Sequence, residues 1–87
     1  MRNFSVANNI DKIVDATGTR CPIPILRTKQ ALKQLQVGQT LKLCATDPST
    51  KTDLEAMLQH LSHQLLGYNI DKSGTVEVFE FVIRKSQ

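Results

Sequence analysis

Tryptophan is absent from this chain, and one tyrosine and three phenylalanines are its whole aromatic content. So few flat side chains argue against a surface built to stack nucleic-acid bases. Two cysteines, Cys21 and Cys44, are too few to staple a secreted scaffold and fit a reducing compartment. No apolar run approaches the roughly 18 residues of a membrane span. The opening Met1-Arg2-Asn3-Phe4-Ser5-Val6 lacks the apolar block of a secretion signal, so the expected setting is the cytoplasm, without a membrane. A Gly-rich phosphate loop, a nucleotide fingerprint and a Ser/His/Asp order are missing as well. Acids are missing from one long basic stretch. Between Ala16 and Thr46 the basic residues Arg20, Arg27, Lys29, Lys33 and Lys42 meet no Asp or Glu, although the net charge is only +3. That stretch is expected to present a positive surface that includes Cys21.

What is present describes one small folded unit. The 87 residues are 40% hydrophobic and 22% charged, an ordinary globular composition. Residues 1–9 read as a loose polar tail and 10–87 as a single domain. Ile10 to Asp15 can form a strand, with Ile13 and Val14 as its apolar content. From Pro22 to about Gln36 the spacing of Ile25, Leu32 and Leu35 is helical, and Gly38 stops it. Thr40 to Ala45 alternates as a strand. Thr52 with Glu55 fits a capping box for a second helix, with Thr50 as a rival cap. Leu54, Met57, Leu58, Leu61 and Leu65 then recur at helical spacing until Gly67. That spacing leaves His60 and His63 on the solvent side, with no further ligands to make a metal site. Tyr68 to Asp71 and Val76 to Arg84 read as strands around the turn Lys72-Ser73-Gly74-Thr75. The order β-α-β-α-β-β implies an α+β, two-layer sandwich, with two helices on one face of a mixed four-stranded sheet.

The stretch Arg20-Cys21-Pro22-Ile23-Pro24 carries the chemistry. Proline is favoured at the first helical position, which makes Cys21 the expected N-cap. Cysteine is a poor neutral cap, but its thiolate is an acceptor facing the partial positive charge of the first-turn amides. Pro24 stiffens that turn. A free cysteine is only about 3% thiolate at pH 7. The helix end contributes less than about one pKa unit, so Arg20 and the basic stretch are expected to complete the activation. Asp15 is expected to help fix the loop before Cys21. Cys44, on the Lys42 side of its strand, reads as a passive residue.

The pattern Asp15-x-x-Gly18-x-Arg20-Cys21-Pro22-x-Pro24, then Asp47-Pro48 before a second helix and Ile83-Arg84-Lys85 at the end, resembles the TusA (SirA/YedF) family of small sulfur carriers. The resemblance runs from about Val14 to Lys85. It implies the same sandwich, and a carrier that takes persulfide sulfur on Cys21 and relays it without metal or organic cofactor. Pro22 and Pro24 would present the sulfur, Arg20 stabilise its charge, and Asp15 and Gly18 support the loop. Arg27, Lys29 and Lys33 are candidate docking residues. In the best-known branch the donor is a cysteine desulfurase and the sulfur passes through an acceptor protein to 2-thiouridine in tRNA. Other branches serve molybdenum-cofactor maturation or sulfur oxidation. Some members carry a cysteine in the second helix; this chain has Cys44 in a strand instead. The alternative reading is an RNA-binding or regulatory module using the basic stretch from Arg20 to Lys42; the sulfur-relay reading needs no direct nucleic-acid contact.

Overall fold

The computed structural model describes residues 10–86, so the tail expected over 1–9 lies outside the described residues. The elements are β1 (Lys12–Ala16), α1 (Ile23–Gln34), β2 (Thr40–Ala45), α2 (Thr50–Leu61), β3 (Gln64–Asp71) and β4 (Val78–Arg84). The strands form one sheet in the order β1-β2-β4-β3. β1 runs parallel to β2, while β4 is antiparallel to both β2 and β3. β3 is therefore parallel to β2 across the intervening β4. Both β-α-β links advance the same way across the sheet, so right-handed crossovers set α1 and α2 on one face. The α+β two-layer sandwich expected from the element order is the observed architecture.

Strand alternation decides which side chains meet the helices. On β2, Leu41, Leu43 and Ala45 are buried, whereas Lys42 and Cys44 point to the opposite face and are partly exposed. Phe81 and Ile83 of β4 join them at the centre of the core. From above come Ala31 and Leu32 of α1, Leu35 just beyond it, and Leu54 and Leu58 of α2. Each such leucine contributes about 1.5–3 kcal/mol by leaving water. At the β3 edge the Tyr68 ring lies 5.1 Å from that of Phe81, and Lys51 Nζ sits 5.4 Å from the Tyr68 ring centre.

Element boundaries depart from the sequence reading where local signals compete. β1 runs on to Ala16, and Val14 and Ala16 carry its burial while Ile13 is 67% exposed. α1 stops at Gln34; Gly38, with φ 94°, makes the following turn and donates its N–H to Lys85 O at 2.7 Å. α2 ends at Leu61, not Gly67, because Ser62 adopts the left-handed conformation (φ 62°) usual for a terminating glycine. Leu65 keeps helical spacing from Leu61 but belongs to β3, where it still packs on the core. Gly67 lies inside β3 opposite Val82, beside a register shift that follows Leu65. β4 begins at Val78, leaving Val76 exposed in the turn.

His63 corrects another expectation. It follows α2 rather than riding on its solvent side, and it is half-buried, with Nδ1 accepting the Ser86 N–H at 3.1 Å. Burial and the nearby Lys85 charge push its pKa down. His60 is exposed in the last turn of α2, as expected.

Candidate functional site

Because β1 and β2 are parallel and each leads into a helix, α1 and α2 both start at the same end of the sheet. The loop from β1 to α1 is held there by short polar contacts. Asp15 Oδ1 accepts the Thr17 N–H at 3.0 Å and the Thr17 hydroxyl at 2.7 Å, and this pair lowers the Asp15 pKa. Gly18 takes a positive φ of 79°, a conformation costly for other residues, and donates its N–H to Thr46 Oγ1 at 2.8 Å. Thr19 caps the turn through Ala16 O, at 2.7 Å from its hydroxyl. Arg27 Nη1 reaches back from α1 to Asp15 O at 2.9 Å.

Cys21 is exposed at the end of this loop, but it is not the helix cap. Pro22 is the N-cap and follows a cis Cys21–Pro22 peptide bond; the helix begins at Ile23. Pro24 is buried in the first turn, and its carbonyl accepts the buried Thr28 hydroxyl at 2.8 Å. No side chain caps α1. The Cys21 thiol turns instead toward α2 and donates to Asp53 Oδ2 at 2.9 Å, while its backbone N–H donates to Asp47 Oδ2 at 2.7 Å.

The α2 end of the site is organised by Asp47. Its Oδ1 accepts the Ser49 N–H at 2.9 Å and the Ser49 hydroxyl at 2.8 Å, and its carbonyl accepts the Thr50 N–H at 3.1 Å. Ser49, and neither Thr52 nor Thr50, is the N-cap, with its hydroxyl drawn away to Asp47. The Cys21 and Ser49 contacts hold the Asp47 carboxyl below the usual carboxylate range. Asp53 then falls in the first turn of α2, where a carboxylate complements the positive end of the helix dipole.

These placements reverse the expected electrostatics. The hydrogen bond to Asp53 pushes the Cys21 pKa up, with lost hydration and the Asp53 and Asp47 charges adding and the Ser49 hydroxyl opposing. Arg20 acts on Asp47 rather than on the sulfur. It lines a cavity of about 290 Å³ beside the site, together with Gly18, Thr19, Thr46, Asp47 and Pro48.

The acid-free stretch also fails to form one positive surface. Arg27 is tied to the β1 backbone, and Lys42 lies on the open sheet face, 3.7 Å from Glu80. Lys29 and Lys33 lie roughly 9 and 15 Å along α1 from its start. They line a separate cavity of about 240 Å³ with Leu32, Leu61, His63 and Lys85.

Asp15, Gly18, Arg20, Cys21, Pro22 and Pro24 are thus brought into one region, and Lys29 and Lys33 into another. Sequence reasoning missed Asp53, and it read Asp47 only as part of a family pattern. The first-turn preference for acids would have marked Asp53, and the two parallel crossovers would have placed it beside Cys21. Among the described residues, no group of three or more His, Cys, Asp or Glu is placed to hold a metal ion, and no helix is long and apolar enough to cross a membrane.

The family model for sulfurtransferase TusA matches residues 12–85. The sulfur carrier protein TusA of Pseudomonas putida is 43% identical over 75 residues, 86% of this chain and 89% of that protein. YrkI of Bacillus subtilis, whose name marks it as a candidate sulfur carrier, is 40% identical over 86% of this chain and 95% of its own length. The crystal structure of a SirA-like protein from Desulfitobacterium hafniense matches with a TM-score of 0.73 and 27% identity, covering 87% of this chain and 99% of that one.

Proposed function

This chain belongs to the TusA family, and on that premise we propose that residues 10–87 act as one sulfur-carrier domain with Cys21 as the sulfur-bearing atom. The observation that carries the reading is an exposed thiol held where the starts of both helices converge. In the proposed reaction the Cys21 thiolate attacks the outer sulfur of a donor persulfide, and the donor leaves as a thiol. A thiol of the next protein then attacks the outer sulfur of the Cys21 persulfide. Asp15, Gly18 and Asp47 hold the loop in place for both encounters. The Pro22 cap and the buried Pro24 fix where α1 begins, and the guanidinium of Arg20 screens the Asp47 charge.

The proposed donor is a cysteine desulfurase or another protein bearing a persulfide, and the acceptor is a second protein thiol. A cytoplasmic setting suits the two free thiols. tRNA 2-thiouridine formation is the first destination to test. Lys29 and Lys33, lining the cavity at the far end of the helices, are the proposed docking charges for an acidic partner surface; Arg27 is engaged with Asp15 and contributes chiefly to the loop.

The test is intact-mass measurement after incubation with a desulfurase and cysteine. Wild-type protein should gain one sulfur, and Cys21→Ser should gain none while remaining folded. Charge reversal at Lys29 and Lys33 should slow loading at low salt and matter less at high salt, since screened rim charges act on association rate. A Cys21→Ser protein that still carries transferable sulfur rejects the assignment.

A further inference from the structure

The contact between Cys21 and Asp53 is one that only the empty carrier can make. It needs a hydrogen on Sγ, which points at Oδ2 over 2.9 Å. In loading, a bond forms between Sγ and the donor's outer sulfur, and the bond between the donor's two sulfurs breaks. The electron pair of the broken bond stays on the donor's inner sulfur, which also takes up the proton lost by Cys21. Cys21 is oxidised to the extent that the donor sulfur is reduced, so no external oxidant enters. Afterwards Sγ is the inner atom of a persulfide and carries no hydrogen. The outer sulfur is more acidic than a thiol, and as an anion it is repelled by a neighbouring carboxylate.

We propose that Asp53 sets how tightly this carrier holds its sulfur: it grips the empty thiol and disfavours the loaded one, biasing the protein toward passing sulfur on. The inference rests on the reading that Cys21 is the sulfur-bearing atom, and deepens it. The two carboxylates facing Cys21 act in the same sense. Asp53 approaches from α2 and Asp47 from the loop before it, and the nearby cation, Arg20, acts on Asp47. The Ser49 hydroxyl opposes the two carboxylates, but it is hydrogen-bonded to Asp47. The raised Cys21 pKa reports the same field in the empty state.

The experiment equilibrates wild-type, Asp53→Asn and Asp53→Ala proteins with glutathione persulfide and glutathione, and reads the loaded fraction by intact mass. Asparagine keeps the size of the side chain and removes its charge. Both variants should shift the partition toward the loaded form by about fivefold, the effect of one charge pair at about 4 Å in water. In parallel, the iodoacetamide rate profile of the empty Asp53→Asn protein should move to lower pH. If wild type loads normally and the three proteins share one partition constant, the role of Asp53 is overturned and the carrier reading stands. If wild type never forms a Cys21 persulfide with this probe or with a desulfurase, the carrier reading falls and the role of Asp53 falls with it.

Discussion

At Cys21, exposure and ionisation pull in opposite directions. The thiol is accessible, but its bond to Asp53 raises its pKa, so at pH 7 its thiolate fraction lies below the roughly 3% of a free cysteine. Cys44 is pushed up too, first by burial, with the Glu80 and Asp15 charges adding and Lys42 opposing. It also sits half-buried within β2, less accessible than the exposed Cys21. Alkylation of the folded protein should therefore modify Cys21 first. The Cys21 rate should keep climbing beyond pH 8.5, because a raised pKa moves the midpoint of the rate profile above that of a free thiol. Equal rates at the two cysteines, or a midpoint below 8.5, would contradict the site geometry. The choice of Cys21 over Cys44 could be read from its proline-flanked turn. Its charge environment was legible only in part: a first-turn position marks Asp53 at the start of α2, but its contact with the sulfur, 32 residues away, forms only once both helices are docked.

At the level of elements, periodicity found both helices and the alternating β2, since each has a face that must leave water. It misplaced the end of α2 because Leu65 continues the leucine spacing while the chain has already turned at Ser62. A serine in the left-handed region gives no sequence signal comparable to glycine. The difference has measurable consequences. Leu54→Ala and Leu58→Ala should each cost about 2–5 kcal/mol, as both side chains are buried. Leu61→Ala should cost clearly less, because Leu61 is only partly buried on the rim of the lysine cavity. His63→Ala should cost about 1 kcal/mol, the usual worth of one hydrogen bond, here the one from Ser86. Urea denaturation of the four variants checks the order; a Leu61 loss as large as that at Leu58 would mean α2 is rotated or longer.

For the molecule as a whole, carboxylates clamp the loops and leave a distinct acid signature. Asp15 holds the turn before Cys21, Asp47 joins that loop to the start of α2, and Asp71 accepts the Ser73 N–H at 2.9 Å in the β3–β4 turn. All three have pKa values lowered in the fold, chiefly by hydrogen bonding from the Thr17 side chain to Asp15, the Cys21 N–H to Asp47 and the Ser73 side chain to Asp71. A depressed carboxyl pKa contributes stability above the unfolded value of about 3.9, and that contribution is lost as pH falls through the folded value. His63 acts in a higher window. Its folded pKa is depressed as well, so below about 6.5 the unfolded chain binds a proton the fold resists, and stability again falls with pH. Unfolding midpoints measured in urea from pH 8 to pH 3 should therefore decline in two stages. His63→Gln should flatten the upper stage and Asp47→Asn part of the lower one. Asp47 spans the two loops that frame Cys21, so Asp47→Asn should also quicken proteolysis within residues 17–22 while leaving the sheet protected from hydrogen exchange. A uniform loss of protection across the sheet would show instead that Asp47 supports the whole fold rather than the site.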